Sequence, residues 1–178
     1  MSDDKNNKQA STDFVDIDPL RDAYRQSITH SPAVTRSLEA HKTALLCIDM
    51  QYLDAAPGFG VFANAEASGV PVEAQEYYFD RLKYTVLPNV RRLQDAFRTR
   101  GLEVIHTRIQ SLTQDGRDRS PGHKRLGLHA APGSKEAEFL EEIAPQENEI
   151  IINKTASGVF TSTNMGYILR NMEITGLF

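Results

Sequence analysis

Short apolar runs alternate along this chain with segments that have a helical period. Residues 43–48 form a continuous apolar run, which Asp49 closes. A run of this length is too short for a helix and is typical of a strand buried on both faces of a sheet. Residues 102–107, 149–153 and 174–178 predict three further strands.

A long segment of helical period separates the first two predicted strands. Apolar residues recur there at spacings of three and four, which predicts a helix from about residue 73 to residue 100. Pro88 is expected to kink this helix or to start a second one, because proline has no N–H to donate. The second strand is followed by a polar loop over residues 110–134, and a connection of that length usually carries function.

Two shorter helices are predicted nearer the C-terminal end. Ser134 is expected to cap a helix over residues 135–143. Apolar positions from 165 to 172 predict another helix, capped by Thr161 or Ser162. Strands that alternate with helices imply right-handed crossovers. The predicted fold is therefore α/β, a three-layer α/β/α arrangement around a doubly wound, mainly parallel sheet.

The N-terminal region differs in composition from the rest of the chain. Residues 1–13 are polar and predict a disordered tail, because they have too little apolar surface to bury. Residues 14–40 mix prolines with scattered apolar positions and are typical of an arm that lies on the domain or on a neighbouring subunit. We therefore expect a tail and arm over residues 1–40 and a domain over residues 41–178.

Composition narrows the classes of function. The 178 residues, 40% of them hydrophobic, suffice for one packed domain. The net charge of −4 argues against a nucleic-acid partner bound through a basic face. No apolar run approaches the about 18 residues that cross a bilayer, so no membrane partner is expected. The single cysteine, Cys47, excludes an internal disulfide and a Cys-rich zinc site, which favours a reducing, cytoplasmic location.

Two charged residues are predicted at the sheet edge where ligands bind in folds of this class. Asp49 follows the first strand and Lys154 follows the third, and the interiors of both strands are uncharged. Such a pair can be a plain structural ion pair. It can also be an acid/base pair, in which the carboxylate takes a proton from a nucleophile and the lysine stabilises developing negative charge.

Four stretches of the chain carry a resemblance to a known family. Residues 44–51 and 154–163 resemble the first-strand and lysine motifs of the isochorismatase-like cysteine hydrolases. Residues 102–108 resemble the second strand of that family, and residues 169–171 its following helix. The resemblance covers the chain from about residue 42 onward, and it implies the α/β/α fold that the pattern predicts.

The resemblance also implies a catalytic triad of aspartate, lysine and cysteine. It makes Asp49 the general base and Lys154 its partner. The nucleophilic cysteine of the family follows the fourth strand, so we expect it beyond residue 178, with the C-terminal part of the domain absent and this chain alone inactive. Cys47 is expected on the same face of the first strand as Asp49, as a small buried side chain and not as the nucleophile.

For the complete form, the resemblance implies hydrolysis of a C–N bond in a small amide or ureido compound. A thiolate attacks the carbonyl, an amine or ammonia leaves, and water releases the acyl group. Family members without the cysteine hydrolyse the vinyl ether of isochorismate, with the aspartate as acid. The run over residues 157–163 favours the amidohydrolase. A non-catalytic chain that keeps the fold as a binding or oligomerising module is the competing interpretation.

Three further residues are expected to contact the substrate. Gln51 lies in the first-strand motif, and Arg108 ends the second strand, where a guanidinium can clamp a carboxylate. Phe160 follows Gly158 and either walls the pocket or packs in the core.

No metal and no cofactor are predicted. His123, His129, Asp115 and Asp118 fall in one loop, but their spacing fits neither a helical nor a strand pair of ligands. The Asp-x-His motif of the metal-binding members of the resembled family is missing from the sequence. We expect a small-molecule substrate as partner, and the arm and the aromatic run over residues 77–79 favour a homo-oligomer.

Overall fold

The computed structural model describes residues 23–24, 26–27, 42–64 and 68–178. The predicted tail and arm over residues 1–40 lie outside the described residues apart from four positions, which are helical. The boundary between residues 40 and 41 lies outside them as well.

Four parallel strands form one sheet in the order β3-β2-β1-β4. Their bounds are Thr43–Ile48 for β1, Glu103–Ile109 for β2, Ile150–Lys154 for β3 and Gly176–Leu177 for β4. The apolar runs predicted these strands because a strand covered on both faces carries no alternating polar positions. The predicted parallel sheet is confirmed.

Helices cover both faces of the sheet. On one face, Phe97 packs against Leu45 and Val104. On the other face, Met165 and Leu169 pack against Ala44 and Ile105. This confirms the three-layer α/β/α fold. The helices are α1 (Tyr52–Ala55), α2 (Val72–Arg81), α3 (Leu87–Thr99), α4 (Pro121–Arg125), α5 (Val159–Ser162) and α6 (Met165–Asn171).

The predicted long helix has a break next to its proline. A π-helical turn, Leu82–Val86, joins α2 to α3, and Pro88 lies in the first turn of α3. Proline fits a first turn because its missing N–H has no intrahelical acceptor there. The chain leaves α3 at Gly101, whose φ of 64° lies in the left-handed region that favours glycine.

The prediction of a helix over residues 135–143 is wrong. Two short 3₁₀ turns, Lys135–Ala137 and Glu141–Ile143, occupy this stretch, and the hydroxyl of Ser134 caps neither of them. Between the turns, Phe139 forms an antiparallel bridge with Gln51. Backbone pairing with the segment after β1 requires extended conformation at this point, so tertiary contacts override the local helical pattern.

The predicted caps of the last helix are also wrong. Thr161 and Ser162 lie inside α5, where both hydroxyls donate to the carbonyl oxygen of Gly158. The hydroxyl of Thr163 instead accepts the backbone N–H of Met165, at 3.1 Å, at the start of α6. In the part of the chain that the structure describes, no helix has the length and apolarity that a membrane span requires.

Candidate active site

The ends of β1 and β3 bring the two predicted charged residues into contact. Lys154 Nζ donates to Asp49 Oδ2 over 2.8 Å. The side chain of Lys154 is fully buried, whereas that of Asp49 is 26% exposed. A buried ammonium therefore stands behind a partly exposed aspartate side chain. The strand order explains the contact, since β2 alone separates the two strands at this edge.

An unusual backbone conformation directs Asp49 toward Lys154. Alternation along β1 predicts that Asp49 shares a face with Cys47, but Lys154 lies on the opposite face, in register with Ile109. The φ of Asp49 is 58°, which ends the alternation, and its N–H is held by the carbonyl oxygen of Thr107 at 3.0 Å. A left-handed non-glycine residue costs roughly 1–3 kcal/mol and recurs at functional sites. The shared face expected for Asp49 and Cys47 is therefore a wrong prediction.

Burial and charge act in opposite directions on Asp49. Burial raises the pKa of its carboxyl, while the hydrogen bond and the charge of Lys154 lower it, and the net direction is upward. Its second oxygen, Oδ1, is buried and has no hydrogen-bond partner within the described residues. Lys154 Nζ also donates to the carbonyl oxygen of Ala156 at 3.3 Å. The arrangement leaves one carboxylate oxygen available to accept a proton.

A second carboxyl group, that of Asp54 in α1, lies close enough to this pair for its pKa to respond to both charges. The sequence pattern did not identify it as a site residue. Burial, followed by the negative charge of Asp49, raises the pKa of Asp54 to about 6. Its Oδ2 is buried without a partner in the described part of the chain. The available signal was its position five residues after Asp49, at the start of a helix that follows the strand directly.

The variant Asp54→Asn is expected to increase the stability of the folded protein at pH 7.5. With a folded-state pKa near 6 and an ordinary value of 3.8, the wild-type carboxyl opposes folding once pH rises above 3.8. Removing the charge should add up to about 3 kcal/mol to the free energy of unfolding at pH 7.5, and this gain should vanish near pH 3.5. Urea unfolding at both pH values measures the difference. An equal effect at the two pH values would contradict the raised pKa.

The predicted polar loop brings a buried histidine to the same region. The loop contains α4, where the hydroxyl of Ser120 accepts the backbone N–H of His123 at 3.2 Å. The His123 ring is 3% exposed, and its Nε2 lies 3.2 Å from Ser157 Oγ. Burial, followed by the charge of Lys154, lowers the pKa of His123. The imidazole is therefore neutral at physiological pH.

The other polar residues of that loop hold its own backbone. Asp118 accepts from the N–H groups of Leu112 and Thr113. His129 Nε2 lies 3.2 Å from Ser111 Oγ. Among the described residues, no group of three or more His, Cys, Asp and Glu side chains has the arrangement of a metal site.

The structure places Gln51 in the interior. Its side chain is fully buried, and Nε2 donates to the carbonyl oxygens of Ile109, at 2.9 Å, and Glu136, at 2.8 Å. Its Oε1 accepts the N–H of Ile109. The amide thus joins the end of β2 to the segment before Phe139. The geometry favours this positioning role over the predicted substrate contact.

Arg108 lies across the sheet from Lys154, and Phe160 lies at the surface. Arg108 is in register with Asn153, so its side chain is on the opposite face of the sheet from that of Lys154. The guanidinium donates to Asn153 Oδ1 and to the carbonyl oxygen of Ala137, both at 2.8 Å. Phe160 is 56% exposed in the first turn of α5. The side-chain contacts of Arg108 are to protein groups, and Phe160 leaves much of its ring open to a ligand.

Cys47 is remote from this chemistry. It is buried on the face covered by α3, next to Phe97, and Gln94 Nε2 lies 3.7 Å from its sulfur. Burial raises the pKa of the thiol, which keeps it protonated and unreactive.

Comparison with known proteins decides the family. The model of the isochorismatase domain matches residues 43–178, which include every strand and α1 to α6. The chain belongs to the isochorismatase family. The resemblance seen in the sequence is thereby confirmed, and the Asp49–Lys154 contact lies inside the matched region.

One curated relative of this isochorismatase-family chain is an N-carbamoylsarcosine amidase from Arthrobacter sp.. The two are 30% identical over 101 residues, which amount to 52% of this chain and 37% of the amidase. The chain thus spans little more than a third of the curated relative that it matches.

Solved structures agree on the fold. A cysteine hydrolase from Pseudomonas syringae pv. phaseolicola superposes with a TM-score of 0.58 at 20% identity, covering 77% of this chain and 57% of the hydrolase. An N-carbamoylsarcosine amidase from Thermoplasma acidophilum gives 0.54 at 24% identity, covering 76% and 64%. At these identities the likeness establishes the isochorismatase-family architecture alone.

Proposed function

We propose that this isochorismatase-family hydrolase cleaves a C–N bond of a small amide or ureido compound. The observation that carries the proposal is the 2.8 Å contact between a buried lysine and a partly exposed aspartate at the carboxyl edge of the sheet. The nucleophile in the proposal is a cysteine supplied by sequence that follows residue 178. Cys47 does not fill this role, because it is buried on the other face with its thiol pKa raised.

The chemistry assigns a step to each group. Asp49 takes the thiol proton through its free oxygen, and the thiolate attacks the substrate carbonyl carbon. The C–N bond then breaks, and the leaving nitrogen receives the proton from Asp49, so that an acyl-thioester remains. A water oxygen then attacks the thioester carbon while Asp49 takes a proton from that water. The C–S bond breaks, and Asp49 returns its proton to the leaving thiolate, which restores the thiol. The sum is amide plus water giving acid plus amine.

Lys154 has an electrostatic role throughout. Its ammonium hydrogen-bonds one oxygen of Asp49 and leaves the other for the moving proton. Because the side chain is fully buried, its charge acts on Asp49 with little screening by water. The substrate class in the proposal is supported by the likeness to an N-carbamoylsarcosine amidase.

A turnover assay on the full-length protein tests the proposal. N-carbamoyl amino acids, ureido compounds and simple amides are incubated with it, and released ammonia or amine is measured. We expect turnover of one of these classes and its loss after alkylation with iodoacetamide. If the protein cleaves a vinyl ether and this activity persists after iodoacetamide treatment, the cysteine-free reaction replaces the proposal. An absence of turnover on all of the amide and ureido compounds would also contradict the proposal.

A further inference from the structure

A buried imidazole that the reaction above does not use lies behind Lys154. His123 comes from the polar loop between β2 and β3, and its ring is 3% exposed. Nε2 contacts Ser157 Oγ at 3.2 Å, while Nδ1 is buried with no hydrogen-bond partner among the described residues. The contact joins the loop to the three residues that directly follow Lys154.

Backbone hydrogen bonds strengthen the same junction. Ser120, at the start of α4, donates its N–H to the carbonyl oxygen of Thr155 at 3.0 Å. Lys154 Nζ donates to the carbonyl oxygen of Ala156 at 3.3 Å, so the segment over residues 155–157 also supports the ammonium directly. His123 and Ser120 therefore hold the segment over residues 155–157, which contains the second hydrogen-bond acceptor of Lys154.

Charge links the imidazole to both members of the pair. Burial, then the positive charges of Lys154 and Arg119, lower the pKa of His123, whereas the negative charge of Asp49 raises it. A protonated His123 would place a further cation near Lys154 and attract Asp49. The neutral ring supplies the hydrogen bond to Ser157 without competing for that carboxylate.

We propose that His123 is a positioning residue of this site, which acts through Ser157 to hold the segment over residues 155–157 and thereby the Lys154 ammonium against Asp49. The role rests on the proposed hydrolysis, because it serves the geometry of the same charged pair. His123 itself does not touch the reacting atoms in this proposal.

Four variants of the full-length protein test the role in turnover. The amide nitrogen of glutamine replaces Nε2 of histidine, whereas that of asparagine replaces Nδ1. We expect His123→Asn and Ser157→Ala each to lower kcat about 10-fold with KM changed less than about twofold, because a displaced charged pair affects the chemical step. His123→Gln should restore kcat to within about threefold of wild type. His129→Gln, in the same loop but next to Ser111, is the matched control and should leave kcat unchanged.

The combined variant tests whether His123 and Ser157 act through one interaction. His123→Asn with Ser157→Ala should be no slower than either single variant, because both remove one interaction. Wild-type kcat in His123→Asn, or an equal loss in His123→Gln and His123→Asn, would overturn the proposal.

A nuclear magnetic resonance titration tests the same role without turnover. The pKa of His123, followed by its imidazole ¹⁵N signals in the full-length protein, should rise in Lys154→Met and fall in Asp49→Asn. Unchanged pKa values in both variants would overturn the placement of His123 beside the pair. A protein that hydrolyses no C–N substrate but shows both shifts would refute the proposed function and retain the coupling of His123 to the pair.

Discussion

Asp49→Asn and Lys154→Met in the full-length protein are each expected to slow hydrolysis about 10³-fold or more. Asparagine keeps the shape of Asp49 but cannot accept the thiol proton, and a positioned general base is worth about 10²–10⁴ in rate. Methionine fills the volume of the fully buried Lys154 side chain but supplies no charge beside the proton acceptor. Steady-state kinetics on the identified substrate measures both effects.

The reference for these variants is an ion pair away from the sheet edge. Asp115 pairs with Arg117 at 3.2 Å, and both side chains are more than half exposed. Asp115→Asn should leave kcat within about twofold of wild type. The double variant of Asp49 and Lys154 should be little slower than the single ones, because the two groups act as a unit. Turnover near the wild-type rate in either single variant would show that the contact is a structural ion pair only.

Glu149→Ala, outside the proposed site, is expected to cause a large loss of stability. The Glu149 carboxylate accepts from Arg98 Nε at 2.7 Å and Nη2 at 3.0 Å, from the backbone of Gln146 at 2.9 Å, and contacts His106 Nε2 at 3.0 Å. His106 is fully buried. Removing the carboxylate takes this acceptor from all of these groups, while Arg98 keeps its contacts with Gln94 and Asp95. The expected cost is about 2–3 kcal/mol in the free energy of unfolding.

The pH dependence of this loss has a definite sign. Burial raises the pKa of Glu149, but Arg98 and the N–H of Gln146 lower it more, so the net shift is downward. The stabilisation is therefore complete above the ordinary carboxyl pKa of 4.5 and is lost as pH falls through the lower folded-state value. Urea unfolding at pH 7 and pH 3 should show a large difference between wild type and variant at pH 7 and a smaller one at pH 3.

A matched control distinguishes the network from the effect of any lost carboxylate. Glu138 pairs with Lys135 at 2.6 Å, but both side chains are at least 44% exposed. Glu138→Ala should leave the free energy of unfolding close to that of wild type at both pH values. Equal losses in the two variants would contradict the importance assigned to the buried network.

The charged pair was predictable because the carboxyl ends of parallel strands lie at the same edge of the sheet. Apolar runs located β1 and β3, and the charged residue that closes each run had to lie at the same sheet edge. By the same reasoning, Arg108 at the end of β2 is expected to contact the substrate at this edge. Its position on the opposite face from Lys154 follows only from the register between β2 and β3, which depends on the packed structure.

The remaining features depend on contacts between distant segments. Residues 135–143 have a helical pattern, yet backbone pairing of Phe139 with Gln51 holds them extended. His123 reaches the site because the polar loop docks on residues 155–157 through hydrogen bonds that no spacing reveals. The left-handed φ of Asp49 is likewise a product of tertiary structure. The expected homo-oligomer and the cellular location stay predictions.

Rapid-quench mass spectrometry of the full-length protein with its substrate tests the account most directly. We expect a transient acyl adduct on a cysteine that follows residue 178, formed at least about 10³-fold more slowly in Asp49→Asn, with Cys47 unmodified throughout. An adduct on Cys47, or formation of the adduct at the wild-type rate in Asp49→Asn, would contradict it.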